Sequence, residues 1–238
     1  IRSQSVKNIL VYFGSTDQTK LISMIILTFT KLKRPDIILN IIIGSHSSET
    51  NIKKLKKLSK NFKNIKLNYE KKSLATWIFK ADLAIGACGV TSWERCCLGL
   101  PAVVITVADN QKPIARELDK LGIIRWIGHF DSILSSSLKE VLESLIDKDL
   151  LKWSNNCKSI TNGNGAKKVA SILTLNKNTK FNSRLLAIED KILKVKQKSI
   201  FNPAFCDQEK NKIYVIETAL GLRVSTIKFS LNKNSWNI

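Results

Sequence analysis

The chain has 238 residues, enough for one sizeable domain and part of a second, with a real hydrophobic core. Its 39 Lys and Arg residues outnumber 19 Asp and Glu, a net charge of +20. The lysines are scattered (Lys53, Lys54, Lys56 and Lys57, then Lys71 and Lys72, then Lys191 to Lys198) without aromatics between them, which argues for solvated helix faces and against nucleic acid.

Strand-like and helix-like segments alternate along the chain. Asn8 to Phe13 is a short apolar strand and Lys20 to Leu32 a helix; Ile37 to Ile43 is a second strand and Glu49 to Lys60 a charged helix. Ile65 to Tyr69, Leu83 to Ala87 and Ala102 to Val107 read as strands three to five, separated by helices at Leu74 to Lys80 and Thr91 to Leu98. Gln111 to Leu121 is helical and stops at Gly122, and Ile123 to Ile127 reads as the sixth strand. Helices follow at Ser137 to Ile146, Leu150 to Ser159 and Ala166 to Leu175. Continuous apolar strands separated by helices imply an α/β fold, a doubly wound parallel sheet of about six strands covered on both faces.

Composition changes at Asn176 to Asn182, a polar stretch that reads as a linker. The expected organisation is a domain over 1–175, a linker over 176–182 and an appendage over 183–238. In the appendage Lys212 to Glu217 and Leu222 to Phe229 read as a hairpin around Ala219-Leu220-Gly221, with a third strand beginning in the last six residues.

The five cysteines, Cys88, Cys96, Cys97, Cys157 and Cys206, form no C-x-x-C pair, and an odd count argues against a disulfide framework. Reduced, mostly buried thiols in a cytoplasmic protein are the expectation. No apolar run is long enough to span a membrane, and no secretory signal opens the chain. A chain that begins at Ile1 rather than Met reads as a fragment.

The most informative stretch is Ala81 to Gln111. An apolar strand ends in the small-residue turn Cys88-Gly89, a helix follows with Thr91 and Ser92 in its first turn and Glu94 one turn inside, and a second apolar strand closes at Asn110-Gln111. A strand end feeding a glycine turn and a helix presents free amides to an anion. A carboxylate at Glu94 is useless to a phosphate but suits the vicinal hydroxyls of a ribose. Together they read as a seat for a nucleoside diphosphate.

The run W-E-R-C-C-L-G-L-P, Trp93 to Pro101, followed by Asn110-Gln111, resembles the C-terminal half of the UDP-2,4-diacetamido-2,4,6-trideoxy-L-altrose hydrolases of pseudaminic acid biosynthesis. These are similar in fold to the two-domain GT-B glycosyltransferases, whose C-terminal domain holds the UDP moiety. The resemblance runs from about Lys7 to Leu173. It implies a nucleotide-sugar hydrolase that releases UDP with water as acceptor and uses no metal or organic cofactor. A GT-B glycosyltransferase half with a sugar acceptor, or a non-catalytic UDP-sugar-binding fragment, are the alternatives.

By this resemblance Gly86, Ala87, Cys88, Gly89, Val90 and Thr91 form the phosphate turn, with a side chain at Cys88 where a second glycine is common, narrowing the approach. Glu94 takes the ribose; its alternative is a solvent-facing carboxylate paired with Arg95 or Arg116. Asn110 and Gln111 lie past a strand end, Asn110 beside the sugar in support of the reaction or, alternatively, as a helix cap. Gly14, Ser15 and Thr16 face the cleft near sugar and diphosphate, or else form an ordinary turn with Asp17 as cap. Lys20 stands where the family has an Asn ligand.

Asn162-Gly163-Asn164-Gly165 reads as a structural turn before the last helix of the domain. Cys96 and Cys97 read as packed inside their helix, and His46 and His129, lacking ligand-spaced partners, as surface or cap residues. The family's G-x-G-H-x-x-R loop, whose His is the proposed general base, is absent, so a partner N-terminal domain is implied. The tail resembles the middle of a GNAT N-acetyltransferase without its acetyl-CoA loop, or is a plain hairpin appendage.

Overall fold

The computed structural model describes residues 5–69, 73–174, 211–217, 223–232 and 235–237. The chain divides into two compact units, Ile1–Gly163 and Asn164–Ile238.

In the first unit six strands form one sheet: β1 (Asn8–Tyr12), β2 (Ile38–Ile43), β3 (Ile65–Tyr69), β4 (Leu83–Gly86), β5 (Ala102–Thr106) and β6 (Arg125–His129). Every pairing is parallel and the order is β3-β2-β1-β4-β5-β6. Between the strands run α1 (Thr19–Lys31), α2 (Glu49–Ser59), α3 (Ala75–Lys80), α4 (Thr91–Cys97) and α5 (Lys112–Lys120), and α6 (Ser135–Leu145) and α7 (Leu151–Ile160) follow β6. Packing falls into two groups, α1 with α2 and α6, and α4 with α3 and α7, as expected for helices on both faces of a doubly wound sheet.

The sequence explains this layering. The central strands are continuous apolar runs because both their faces are covered; all five residues of β5, Ala-Val-Val-Ile-Thr, are buried. In α1 the residues Leu21, Ile22, Ile25, Ile26 and Phe29 recur at helical spacing and are all buried. Fully burying a side chain of this kind contributes roughly 1.5–3 kcal/mol, so this stripe fixes the helix on the sheet. The edge strand β3 instead exposes Lys66 and Tyr69, a charge that discourages pairing with another chain.

The sixth strand begins two residues later than the apolar run suggests. Ile123 and Ile124 are buried, but their amides bond back to Leu118 O at 2.9 and 3.4 Å, closing the end of α5 around Gly122 at φ 66°. Hydrophobicity marks burial, not ladder pairing, and pairing with Val103 starts only at Arg125.

The second unit contains α8 (Gly165–Thr174) and an antiparallel sheet of β7 (Asn211–Glu217), β8 (Arg223–Asn232) and β9 (Ser235–Asn237) in that order. The expected hairpin and third strand are therefore present. The expected turn Ala219-Leu220-Gly221, the linker Asn176 to Asn182, Cys206 and the basic stretch Lys191 to Lys198 lie outside the described residues. Of the run Asn162 to Gly165, the first three residues precede α8, with Gly163 at φ 77°, and Gly165 is its first residue.

Candidate functional site

The strand order reverses at β1, which pairs with β2 on one side and β4 on the other. Loops leaving the carboxyl ends of these two strands diverge to opposite faces, and such a crevice is where open α/β sheets take ligands. The sheet thereby brings three predicted segments to one edge: Gly14 to Thr16 after β1, Gly86 to Thr91 after β4, and Asn110-Gln111 after β5.

The β1 loop satisfies most of its polar groups internally. Gly14 takes φ 95°, a conformation natural to glycine. Asp17 Oδ1 accepts from the Thr19 amide at 3.0 Å and hydroxyl at 2.6 Å, and Asp17 Oδ2 accepts from Asn51 Nδ2 at 2.6 Å. Burial opposes ionisation of Asp17, but bonds from Thr19, Asn51 and the Ser48 backbone outweigh it and hold the carboxyl below its usual range. Asp17 thus ties the start of α1 to Asn51. Thr16 Oγ1 accepts from Gln18 Nε2 at 3.3 Å, and Ser15 O accepts from the His46 amide at 3.0 Å.

Gly44, at the end of β2, packs against this loop: a Cβ there would meet Gly14 O at 2.5 Å and Ser15 O at 2.6 Å. Sequence reading overlooked Gly44, because nothing local distinguishes it from a strand-end turn.

The β4 loop is built differently. Gly86 pairs with Tyr12 on one side and Val104 on the other. A Cβ on Gly86 would lie 2.5 Å from Tyr12 O and 2.6 Å from Arg95 Nη1, so the position requires glycine. Arg95 is only 3 % exposed. Its Nη2 donates to Ala87 O at 2.8 Å and to Ser92 Oγ at 2.9 Å. Burial pushes its pKa below the ordinary arginine value, weakly opposed by Cys88, Cys96, Cys157 and Glu94.

Cys88 is 2 % exposed, its side chain buried beside Ser92 and Arg95. Burial pushes the Cys88 thiol upward, against a Ser92 hydrogen bond and the Arg95 charge, which keeps it protonated and a poor nucleophile. Gly89 and Val90 are exposed. The amides of Gly89, Val90 and Thr91 meet no acceptor among the described residues. The Cys88 amide reaches only Gln111 Oε1, at 3.4 Å, which is long for such a bond.

Glu94 is exposed and makes no ion pair or side-chain hydrogen bond among the described residues. The alternative pairing with Arg95 fails because Ser92, Arg95 and Cys96 share the buried face of α4, while Glu94 stands on the other. The i, i+3, i+4 spacing of these three is the sequence signal that could have found Arg95, had its charge not argued for the surface.

Asn110 sits exposed in a 3-10 turn over Asp109–Gln111, and no side-chain cap bond forms there or at the start of α5, so the cap reading does not hold. Gln111 Oε1 accepts from Val107 N at 3.1 Å as well as from Cys88 N, tying the β5 loop to the β4 loop.

His129 is more than a surface residue: its Nδ1 lies 3.0 Å from Thr106 Oγ1 and its Nε2 3.6 Å from Asp131. His46 is exposed. Cys96 and Cys157 are buried and Cys97 is half-buried. No cluster of three potential metal-ligating side chains occurs among the described residues, and no described helix is long and apolar enough to cross a membrane.

The glycosyltransferase family 28 C-terminal domain matches the chain over residues 8–173. No curated protein matches it. Among solved structures, MurG of Acinetobacter baumannii is similar at TM-score 0.61 and 18% identity, over 73% of this chain and 50% of that one. The glycosyltransferase WaaG, of lipopolysaccharide biosynthesis, gives 0.54 and 16%, over 72% and 48%. The UDP-GlcNAc 2-epimerase of Neisseria meningitidis, solved with UDP-GlcNAc, gives 0.52 and 18%, over 73% and 45%. The chain therefore spans about half the length of these structures, and at such identities the likeness is one of fold, the GT-B type.

Proposed function

Because the chain belongs to the family of glycosyltransferase family 28 C-terminal domains, we propose that it is the UDP-binding half of a GT-B enzyme acting on a UDP-linked sugar. The observation that carries this reading is the set of unused polar groups at the switch point: the amides of Gly89 to Thr91 and the unpaired carboxylate of Glu94. The amides suit a diphosphate, on which charge builds as the bond to the anomeric carbon breaks, and Glu94 suits the ribose hydroxyls. Asn110, exposed after β5, stands toward the sugar and supports its reaction, while Gly14 to Thr16 line the far side of the seat.

The reaction is hydrolysis of a UDP-linked diacetamido-trideoxy sugar, with Trp93 to Pro101 as the supporting motif. The second reading, transfer of the sugar to an acceptor hydroxyl, is favoured by the family match and uses the same seat. In both, an N-terminal domain supplies the general base and the opposite wall of the cleft, consistent with a match to about half of each solved structure.

Calorimetric titration of UDP into the chain tests the seat. Saturable binding, and a rise in melting temperature with UDP by mass action, are expected; no binding at millimolar UDP would refute it. A UDP-release assay should show no turnover of UDP-sugars by the chain alone and turnover once a Gly-x-Gly-His domain is supplied. Water or an added acceptor sugar in that assay then separates hydrolase from transferase.

A further inference from the structure

Arg95 presents an imbalance that the fold alone does not resolve. It is a guanidinium 3 % exposed, and none of the ion pairs among the described residues includes it. Burying a cation without an anion is costly, and native structures normally place a carboxylate beside it. Its neighbours are a carbonyl, a hydroxyl and the thiols Cys88, Cys96 and Cys157; the nearest carboxylate, Glu94, is exposed on the other face of α4, forms no ion pair with it and acts on its charge only weakly.

What Arg95 holds is the β4 loop. All described peptide bonds are trans, so the Ala87 carbonyl and the Cys88 amide of one peptide point in opposite directions. Arg95 Nη2 fixes that carbonyl inward at 2.8 Å, and the Cys88 amide therefore points away from the core, toward the edge where Gln111 Oε1 meets it at 3.4 Å. The space beside Arg95 Nη1 is kept open by Gly86, since a Cβ would come within 2.6 Å. The guanidinium thus lies directly beneath the turn whose outer amides are unused.

We propose that Arg95 is the positioning residue of the diphosphate seat: it holds the Ala87–Cys88 peptide with its amide outward, and its buried charge is balanced by the phosphates of a nucleoside diphosphate. This rests on the UDP-seat reading above. In a medium of low dielectric a cation beneath the turn acts on the phosphates far more strongly than a solvated lysine would. The ligand completes an ion pair that the unliganded chain leaves half made.

The test compares UDP with uridine on the full chain, for wild type, Arg95→Met and Arg95→Gln. Met removes charge and donors; Gln keeps a donor for Ala87 O without the charge. Both variants should bind UDP at least about tenfold more weakly, the scale expected when one partner of a buried charge pair is removed, with uridine affinity unchanged. The melting temperature without ligand should fall in Arg95→Met, which leaves Ala87 O and Ser92 Oγ without their donor, and less in Arg95→Gln, so the contrast between UDP and uridine is the deciding readout. If Arg95→Met does not fold, Arg95→Gln decides.

Variants that bind UDP as wild type does, or that lose UDP and uridine in parallel, would overturn the proposal and leave the seat intact. Wild type failing to bind UDP at all would sink the seat itself, and this proposal with it.

Discussion

The loops after β1 and β4 start from adjacent strands at the same edge of the sheet, yet they dispose of their polar groups in opposite ways. After β1, Asp17 gathers Thr19 and Asn51, Thr16 accepts from Gln18, and Ser15 is held by His46. After β4, three amides and the carboxylate of Glu94 are unused, and a buried cation lies beneath them. Exposed amides and an exposed carboxylate without protein partners stay open to water or to a ligand, whereas the β1 loop uses its polar groups within the fold. On the proposed reading the β1 loop is the wall and the β4 loop the receptor.

The largest expected effect breaks the contact between the two. Gly86→Ala drives a Cβ into Tyr12 O and Arg95 Nη1, both within 2.6 Å, and should destabilise the first unit by about 3 kcal/mol and abolish UDP binding. Gly89→Ala, with nothing within 4 Å of its Cβ, should melt like wild type. Thermal melts of the two variants check the pair; equal losses would mean that the clash at Gly86 relaxes away.

Glu94→Gln separates nucleoside from phosphate. Loss of a hydrogen bond to a charged acceptor is worth about 1.5–3 kcal/mol, so UDP should weaken by about tenfold or more while pyrophosphate is unaffected. Equal weakening of both ligands in a calorimetric titration would remove Glu94 from the ribose.

On the β1 side the effects should be on stability. Asp17→Ala removes the bonds that Asp17 accepts from Thr19 and Asn51 at the start of α1 and should cost about 1 kcal/mol at neutral pH. The folded-state pKa of Asp17 lies below 3.8, so its contribution is complete above that value and is lost as pH falls through the lower, folded one. The difference in melting temperature between wild type and Asp17→Ala should therefore be flat from pH 6 to 8 and close below about pH 4. A difference that persists unchanged in acid would show that the carboxylate charge plays no part.

Thr16→Ala should be the mildest. Its exposed hydroxyl already bonds Gln18 at 3.3 Å, and its loss should change UDP affinity about twofold or less, within the usual range for surface substitutions. A loss as large as that for Glu94→Gln would erase the distinction between wall and receptor.

Much of the fold was legible in residue order. The edge strand β3 falls at Ile65–Tyr69 as read, and the other strands deviate by a residue or two at their ends; the central ones were legible because a sheet covered on both faces demands unbroken apolar runs. The glycine turn Cys88-Gly89 and the placement of Glu94 and Asn110 followed from strand ends in the same way. The periodicity of α4 already held the information that position 95 faces inward; a charged residue there simply overrode it.

The tertiary structure decided what depends on partners distant in sequence. Whether Glu94 is paired, whether Asn110 caps a helix, where the Cys88 side chain goes and why Gly44 and Gly86 must lack a Cβ are all settled by atoms on other strands and helices. Local pattern reports which face of an element is buried, since that depends on spacing along one chain segment. The partner of a charge or a backbone amide depends on which segments the sheet order places side by side, and the reversal at β1 brings together residues some seventy positions apart, such as Tyr12 and Gly86.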